Sequence, residues 1–137
     1  MIELLEYPPE SEWDERRLWL AAEEERLAAG GAGSLSEQAT ALVAEMQRCY
    51  CAGAWVATVV LAGAVVDAQT LHAGFPDDDL REERGWLRGL RNRLMHENRM
   101  DPAVTLEDHW LKGREWQKSA RRAVRLALAS LYAGGGT

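Results

Sequence analysis

An arginine, an asparagine and a histidine stand close together in the second half of this chain of 137 residues, as Arg91, Asn92 and His96. An arginine can hold a phosphate through two parallel N–H donors and stabilise the charge that develops on it. A histidine gains and loses a proton near neutral pH, so it can act as a base or an acid. We therefore predict a site for a phosphate with Arg91, Asn92 and His96 as the candidate catalytic residues, in which Asn92 orients the histidine or the phosphate.

The segment around these residues has the pattern of an amphipathic helix from about residue 78 to residue 97. At 100° per residue, one side of this helix is apolar and holds Trp86, Leu87, Leu90 and Leu94. Arg84 and Arg88 lie on the opposite side, and we predict that both bind substrate. Gly85 and Gly89 flank this basic side, although each costs about 1 kcal/mol in a helix relative to alanine. They predict the close approach of another backbone, either a symmetry-related helix or a phosphodiester chain.

A solvated arginine face is the alternative for this helix, because runs of charge on helices usually face water. Residues 80–99 carry six arginines and three acidic side chains, which gives the segment a net charge of +3. This excess of positive charge, together with two glycines that solvation does not explain, favours a phosphate-binding surface.

The motif also resembles a known family. The sequence Leu90-Arg91-Asn92-Arg93-Leu94-Met95-His96-Glu97 is similar to the R-x(4–6)-H signature of HEPN domains (higher eukaryotes and prokaryotes nucleotide-binding). A polar residue commonly follows the arginine in that family, and Asn92 has this position. Residues 51–67 resemble the helix turn and the apolar helix that precede the motif in that family. The apolar helix ends in an acidic residue, which is Asp67 in this chain. The resemblance covers about residues 35–132.

The resemblance implies a helical bundle that forms a homodimer, in which two R-x(4–6)-H motifs line one cleft. It implies metal-independent cleavage of RNA, of the toxin or defence type and without a cofactor, by Arg91 and His96. Because many members have lost this activity, the alternative is a non-catalytic module that binds a protein partner or a nucleotide. Toxin members paired with a nucleotidyltransferase antitoxin often have a tyrosine two residues after the histidine, whereas this chain has Asn98. A third hypothesis is a helical bundle of another kind in which the motif occurs by chance.

A second basic stripe lies on the predicted last helix. Its side chains recur at i, i+3, i+4 and i+7 and so share one face; they are Lys118, Arg121, Arg122 and Arg125. We predict that this stripe binds the RNA substrate, the alternative being a solvated basic helix near its end. Asp67 follows a long apolar run, where an unpaired buried carboxylate would be costly. We therefore expect Asp67 to pair with Arg91 or Arg88 and to orient the site.

Helices must position these residues, because helix formers dominate the sequence and alternating strand patterns are nearly absent. The predicted fold class is all-α, an antiparallel helical bundle of four to five helices that resembles HEPN domains. Residues 11–132 are predicted to form its single domain, with an N-terminal segment at 1–10 and a frayed tail at 133–137.

Local signals predict where the first helices begin and end. Capping-box patterns at Ser11 and Ser34 predict the starts of the first two helices. The second pattern continues without proline to about residue 73, which would make a helix of about 60 Å, too long for a domain of this size. We expect a break near Gly53, because glycine weakens a helix.

Composition predicts a cytoplasmic protein with no membrane anchor and no metal site. No secretory pattern begins the chain, and Cys49 and Cys51 point about 200° apart on a helix, which suits neither a disulfide nor a shared metal. The uncharged run from residue 49 to residue 66 is at the lower limit for a membrane span. Because it is rich in alanine and glycine, we predict a buried helix instead. The three histidines are scattered, so we expect no metal ligand cluster.

The net charge of −6 argues against a protein that nucleic acid surrounds on all sides. The charge is uneven, however, since residues 1–37 carry a net charge of −7 and residues 112–125 one of +5. The acidic first helix contains Glu23, Glu24 and Glu25, which could cover the basic groove or bind a basic partner. We therefore predict an acidic protein with a basic face.

Overall fold

Six helices make up the described part of the chain, and no strand occurs in it. The computed structural model describes residues 2–75 and 78–132, so the predicted tail at 133–137 lies outside the described residues. The helices are α1 Glu10–Ala28, α2 Glu37–Ala52, α3 Trp55–Ala73, α4 Arg81–Met95, α5 Asp108–Leu111 and α6 Gly113–Tyr132. Turns of 3-10 helix at Ile2–Leu5 and Asp78–Leu80 precede α1 and α4. The predicted all-α bundle is confirmed, with α5 as a short addition to five longer helices.

The centre of the bundle is α3. It packs mainly against α2 and α6, and α4 covers a further part of its surface. The fully buried side chains where these helices meet include Met46 and Tyr50 of α2, Val59 and Val65 of α3, and Leu128 of α6. By length and composition alone α3 could cross a membrane. In this structure it is the central helix of the bundle, because its neighbours bury one side of it, including Val59, Val65 and Val66.

The chain breaks between α2 and α3 at Gly53, as the sequence predicts. Gly53 has a φ of +79°, in the left-handed region that favours glycine. Its N–H donates to the carbonyl oxygen of Tyr50 at 3.0 Å, and the N–H of Ala54 donates to that of Cys49 at 2.9 Å. These two bonds satisfy carbonyl groups at the end of α2 and let α3 turn back to pack against it.

The predicted capping box at Ser11 is wrong, because α1 begins at Glu10 and places Ser11 inside its first turn. Pro9 precedes the helix with a φ of −55°, a value that the proline ring already imposes and that suits a helix start. The carbonyl oxygen of Pro9 accepts the N–H groups of Glu12 and Trp13 at 3.0 and 3.1 Å. The proline therefore starts the helix without a side-chain cap.

The cap of α2 is Ser36 rather than Ser34. The hydroxyl of Ser36 accepts the N–H of Ala39 at 3.1 Å. Gln69 of α3 holds the same segment, since its side chain accepts the N–H of Ser36 and donates to the carbonyl oxygen of Ser34, both at 2.9 Å. The hydroxyl of Ser34 lies 2.8 Å from Nε2 of His72. Both serines thus tie the start of α2 to the end of α3.

The caps predict different stabilities for two serine variants. Ser36→Ala should lower the free energy of unfolding by about 1 kcal/mol, because it leaves the N–H of Ala39 without its acceptor. Ser34→Ala is the matched control and should cost less, because its side-chain contact with His72 is exposed. Chemical denaturation of the two variants measures the difference. A larger loss in Ser34→Ala would contradict the assignment of Ser36 as the cap.

Candidate functional site

A groove between α3 and the end of α4 contains the predicted catalytic residues. Its volume is about 580 Å³, and Asp67, Arg91, Asn92 and His96 supply most of its polar lining. The rest of the lining is largely apolar and comes from α3, from Met95 and from Gln38 of α2. The structure therefore brings together four residues that the sequence singles out, from α3, from α4 and from the residue that follows α4.

The side chain of Arg91 reaches the groove across the backbone of α3 at Gly63. A Cβ atom on Gly63 would stand 2.8 Å from Cδ of Arg91, closer than packed carbon atoms allow. Gly63 is buried in the middle of α3. Sequence reasoning missed this residue, although a glycine inside a helix costs about 1 kcal/mol and signals a packing requirement.

Arg91 and Asp67 form an ion pair in which Nη1 of Arg91 donates to Oδ2 of Asp67. The sequence predicts this pairing, with Arg88 as the other candidate. The side chain of Arg91 is 21% exposed and that of Asp67 is 53% exposed. Asp67 is therefore half in water rather than buried, and it stands one helical turn after Gly63 on α3.

His96 lies beyond the end of α4, so its predicted place on the helix is wrong. The helix ends at Met95, and His96 has φ −124° and ψ 120°, an extended conformation. Its backbone N–H still donates to the carbonyl oxygen of Asn92 at 3.1 Å, which ties it to the last turn. The exposed imidazole lines the groove, and it makes no hydrogen bond to any residue that the structure describes.

The groove has an exposed apolar part beside the motif. Leu71 of α3 is 91% exposed and Met95 is 61% exposed. Both line the groove, together with Ala64 and Ala68 on the same side of α3. The exposed Asn92 precedes Met95 by three residues, about one helical turn, and His96 directly follows Met95. A ligand here would meet both polar and apolar side chains from α3 and from the end of α4.

Gly85 and Gly89 face open space on the outer side of α4. A Cβ atom at either position would have no atom of the described residues within 4 Å. No contact inside the described chain therefore explains these two glycines. The predicted approach of an outside backbone stays a prediction.

Arg84 and Arg88 lie beside the groove rather than in it. Both line a narrow cleft on α4 that also contains Asp67, Gly63 and the stem of Arg91. The guanidinium of Arg84 sits 4.8 Å from the ring centre of Phe75, and Arg88 is exposed. Asp67 consequently has the arginines of α4 on one side and the groove on the other.

The second basic stripe is not part of the groove, because two of its arginines contact α1 and α2. Arg121 donates through Nε to the hydroxyl oxygen of Tyr50 at 2.8 Å, and its guanidinium lies 5.1 Å from the ring centre of Trp19. Arg125 pairs with Glu23 at 3.3 Å and lies 5.3 Å from the same ring. The acidic first helix thus contacts basic residues of α6. It contributes no residue to the lining of the motif groove, contrary to the hypothesis that it covers the basic groove.

Arg122 connects α6 to α4 instead. Its Nε and Nη2 donate to the two carboxylate oxygens of Glu83 at 2.7 and 2.5 Å. The hydrogen bond from Arg122 lowers the pKa of Glu83, and the guanidinium also lies 3.9 Å from the ring centre of Trp86. Lys118 is exposed to water. Three of the four stripe residues, Arg121, Arg122 and Arg125, thus contact neighbouring helices, and their role in substrate binding stays a prediction.

A second cavity, of about 560 Å³, lies where the N-terminal segment meets the turn before α3 and the start of α6. Trp55, Trp116 and His109 contribute to its lining. None of the residues that the sequence predicts to be catalytic or substrate-binding lies in it. The motif groove is therefore the better candidate for chemistry.

Two glycine variants test the role of Gly63. Gly63→Ala should lower the free energy of unfolding by about 1 kcal/mol, because overpacking against Arg91 exceeds the gain in helix propensity. Gly89→Ala, the control in open space, should raise it by about 1 kcal/mol in dilute monomeric protein. Chemical denaturation gives both values. Stabilisation by both substitutions would show that Arg91 does not need the space at Gly63.

Comparison with known proteins gives no match for this chain: no family model, curated protein or solved structure is similar to it. The HEPN resemblance therefore stays an expectation that the motif raises. Function has to be inferred from the geometry of the groove and from the chemistry of the side chains that line it.

Proposed function

We propose that this protein is a HEPN-like, metal-independent ribonuclease of the toxin or defence type that cleaves RNA in the motif groove. Arg91 binds the scissile phosphate, His96 transfers a proton, and Asn92 orients the phosphate or the imidazole. The observation that carries the proposal is that Arg91, Asn92 and His96 line one groove. Asp67 supports it by holding the guanidinium of Arg91 beside the groove.

The reaction follows from the chemistry of RNA itself. The 2′-oxygen of a ribose attacks the adjacent phosphorus, and the bond from phosphorus to the 5′-oxygen of the next nucleotide breaks. A base takes the proton of the 2′-hydroxyl, and an acid gives a proton to the leaving 5′-oxygen. Arg91 stabilises the charge on the non-bridging oxygens. The products carry a 2′,3′-cyclic phosphate and a 5′-hydroxyl.

A homodimer would supply both proton-transfer groups. The described residues that line the groove include one histidine, His96, whereas the reaction needs a base and an acid. A two-fold contact between two copies of α4 would bring the partner's His96 toward the same cleft. Gly85 and Gly89 offer open backbone for that contact, one to two turns before Asn92.

The ion pair between Asp67 and Arg91 favours a second candidate function. Asp67 neutralises Arg91, which is the one fixed cation among the described residues that line the groove. An imidazole without a hydrogen-bonding partner is also less well oriented for proton transfer than a held one. These features suit a non-catalytic module that binds a protein partner, such as an antitoxin, or a nucleotide.

Cleavage of RNA in the presence of EDTA tests the proposed function. The purified protein should convert RNA to fragments with 2′,3′-cyclic phosphate and 5′-hydroxyl ends, which end-specific labelling identifies. His96→Ala should lower the rate by at least about 100-fold, the usual contribution of a general acid or base. Arg91→Ala should lower it similarly, because charge stabilisation is lost.

Arg93→Ala is the matched control, because Arg93 is an exposed arginine of the same helix that does not line the groove. It should keep most of the activity, and circular dichroism should show all three variants folded. Wild-type activity in His96→Ala would exclude the proposed reaction. Phosphate or nucleotide binding without cleavage by the wild type would favour the binding module.

The dimer can be tested at Gly89. Gly89→Trp should leave the monomer folded, because the position faces open space, but it should block close approach of a second α4. Light scattering after size-exclusion chromatography should show a dimer for the wild type and a monomer for the variant. The rate of RNA cleavage should fall together with the fraction of dimer. An active, dimeric Gly89→Trp protein would contradict an α4 contact at this position.

A further inference from the structure

Asp67 occupies a position between two arginines of α4 that have different freedom of movement. The stem of Arg91 is fixed by its passage over Gly63 and is mostly buried. Arg88 is exposed, stands one turn earlier on the same helix and lines the narrow cleft with Asp67. The carboxylate of Asp67 is half-exposed, so its side chain can rotate without leaving a buried cavity.

The ion pair also removes the net charge of the groove. Among the described residues of its lining, Arg91 carries the one fixed positive charge and Asp67 the one carboxylate. Asp67 contacts Nη1 of Arg91, so a phosphate that binds this nitrogen competes with the carboxylate for it. The displaced carboxylate would have Arg88 as its neighbouring cation, since both residues line the narrow cleft.

We propose that Asp67 is a switching anion: it holds Arg91 before substrate arrives and passes to Arg88 when a phosphate binds Arg91. This inference rests on the proposed function, because it assumes that Arg91 is the phosphate ligand. It adds a regulatory role to that site, since the strength of the Asp67–Arg91 pair sets how tightly phosphate binds. Arg88 acts here as the receiver of Asp67 and not as a phosphate ligand.

A double-mutant cycle on phosphate binding tests the switch in the full-length protein. The probe is inorganic phosphate, titrated while NMR follows the side-chain Nε–Hε signal of Arg91, which is assigned by its loss in Arg91→Ala. Asp67→Asn should bind phosphate about fivefold more tightly than the wild type, because the competing charge is gone. Asp67→Ser serves as a second variant if the asparagine protein does not fold.

Arg88→Ala should weaken phosphate binding in the wild-type background, because the displaced carboxylate loses its receiver. In the Asp67→Asn background the same substitution should have little effect, no more than the control Arg93→Ala. That control removes an equal charge from the same helix at a position outside both the groove and the narrow cleft.

Three other results would overturn the proposed switch, and each would point to a different explanation. Equal or weaker binding by the Asp67 variants would show that Asp67 only positions Arg91. An equal loss from Arg88→Ala in both backgrounds would show that Arg88 contacts phosphate directly. If phosphate shifts no Arg91 signal in the wild type or in the Asp67 variants, Arg91 is not the phosphate ligand, and the proposed function fails with the switch.

Discussion

The passage of Arg91 over Gly63 is the contact on which the groove depends. A glycine in the middle of the central helix leaves the space that the arginine stem fills, and the guanidinium therefore meets Asp67 one turn further along α3. Because α4 ends at Met95, about one turn after Arg91, His96 stands close to the same contact. Both reactive groups thus lie near one place where α4 rests on α3.

The arginines of the α6 stripe and those of α4 near Asp67 have different physical roles. The stripe arginines are held by acids and aromatic rings of neighbouring helices, as in the Arg122–Glu83 pair and the contact of Arg121 with the ring of Trp19. Exposed ion pairs contribute little stability individually, so their main effect is to fix how helices sit against one another. The arginines of α4 near Asp67 instead border the groove. Local positive charge along the sequence therefore does not identify a nucleic-acid surface by itself.

The helical pattern and the motif could be predicted from the sequence because both are local signals. Apolar periodicity indicates the bundle, and Gly53 indicates the break after α2. The cost of an unpaired carboxylate on an apolar helix indicates the pairing of Asp67 with an arginine. Gly63 was missed, because only the tertiary structure shows which side chain crosses a given glycine. The contacts of the α6 arginines were missed for the same reason: a basic stripe at helical spacing looks alike whether it faces water, RNA or an acidic helix.

The central claim is that Arg91 and His96 act on one phosphate of RNA in the motif groove. The most direct measurement is a crystal structure of the protein with a short RNA whose 2′-hydroxyls are methylated, so that no 2′-oxygen can attack. We expect a phosphate within hydrogen-bond distance of the Arg91 guanidinium and of a His96 imidazole from either copy of the chain. RNA bound along α6, or a phosphate on Arg91 with both imidazoles out of reach, would contradict it.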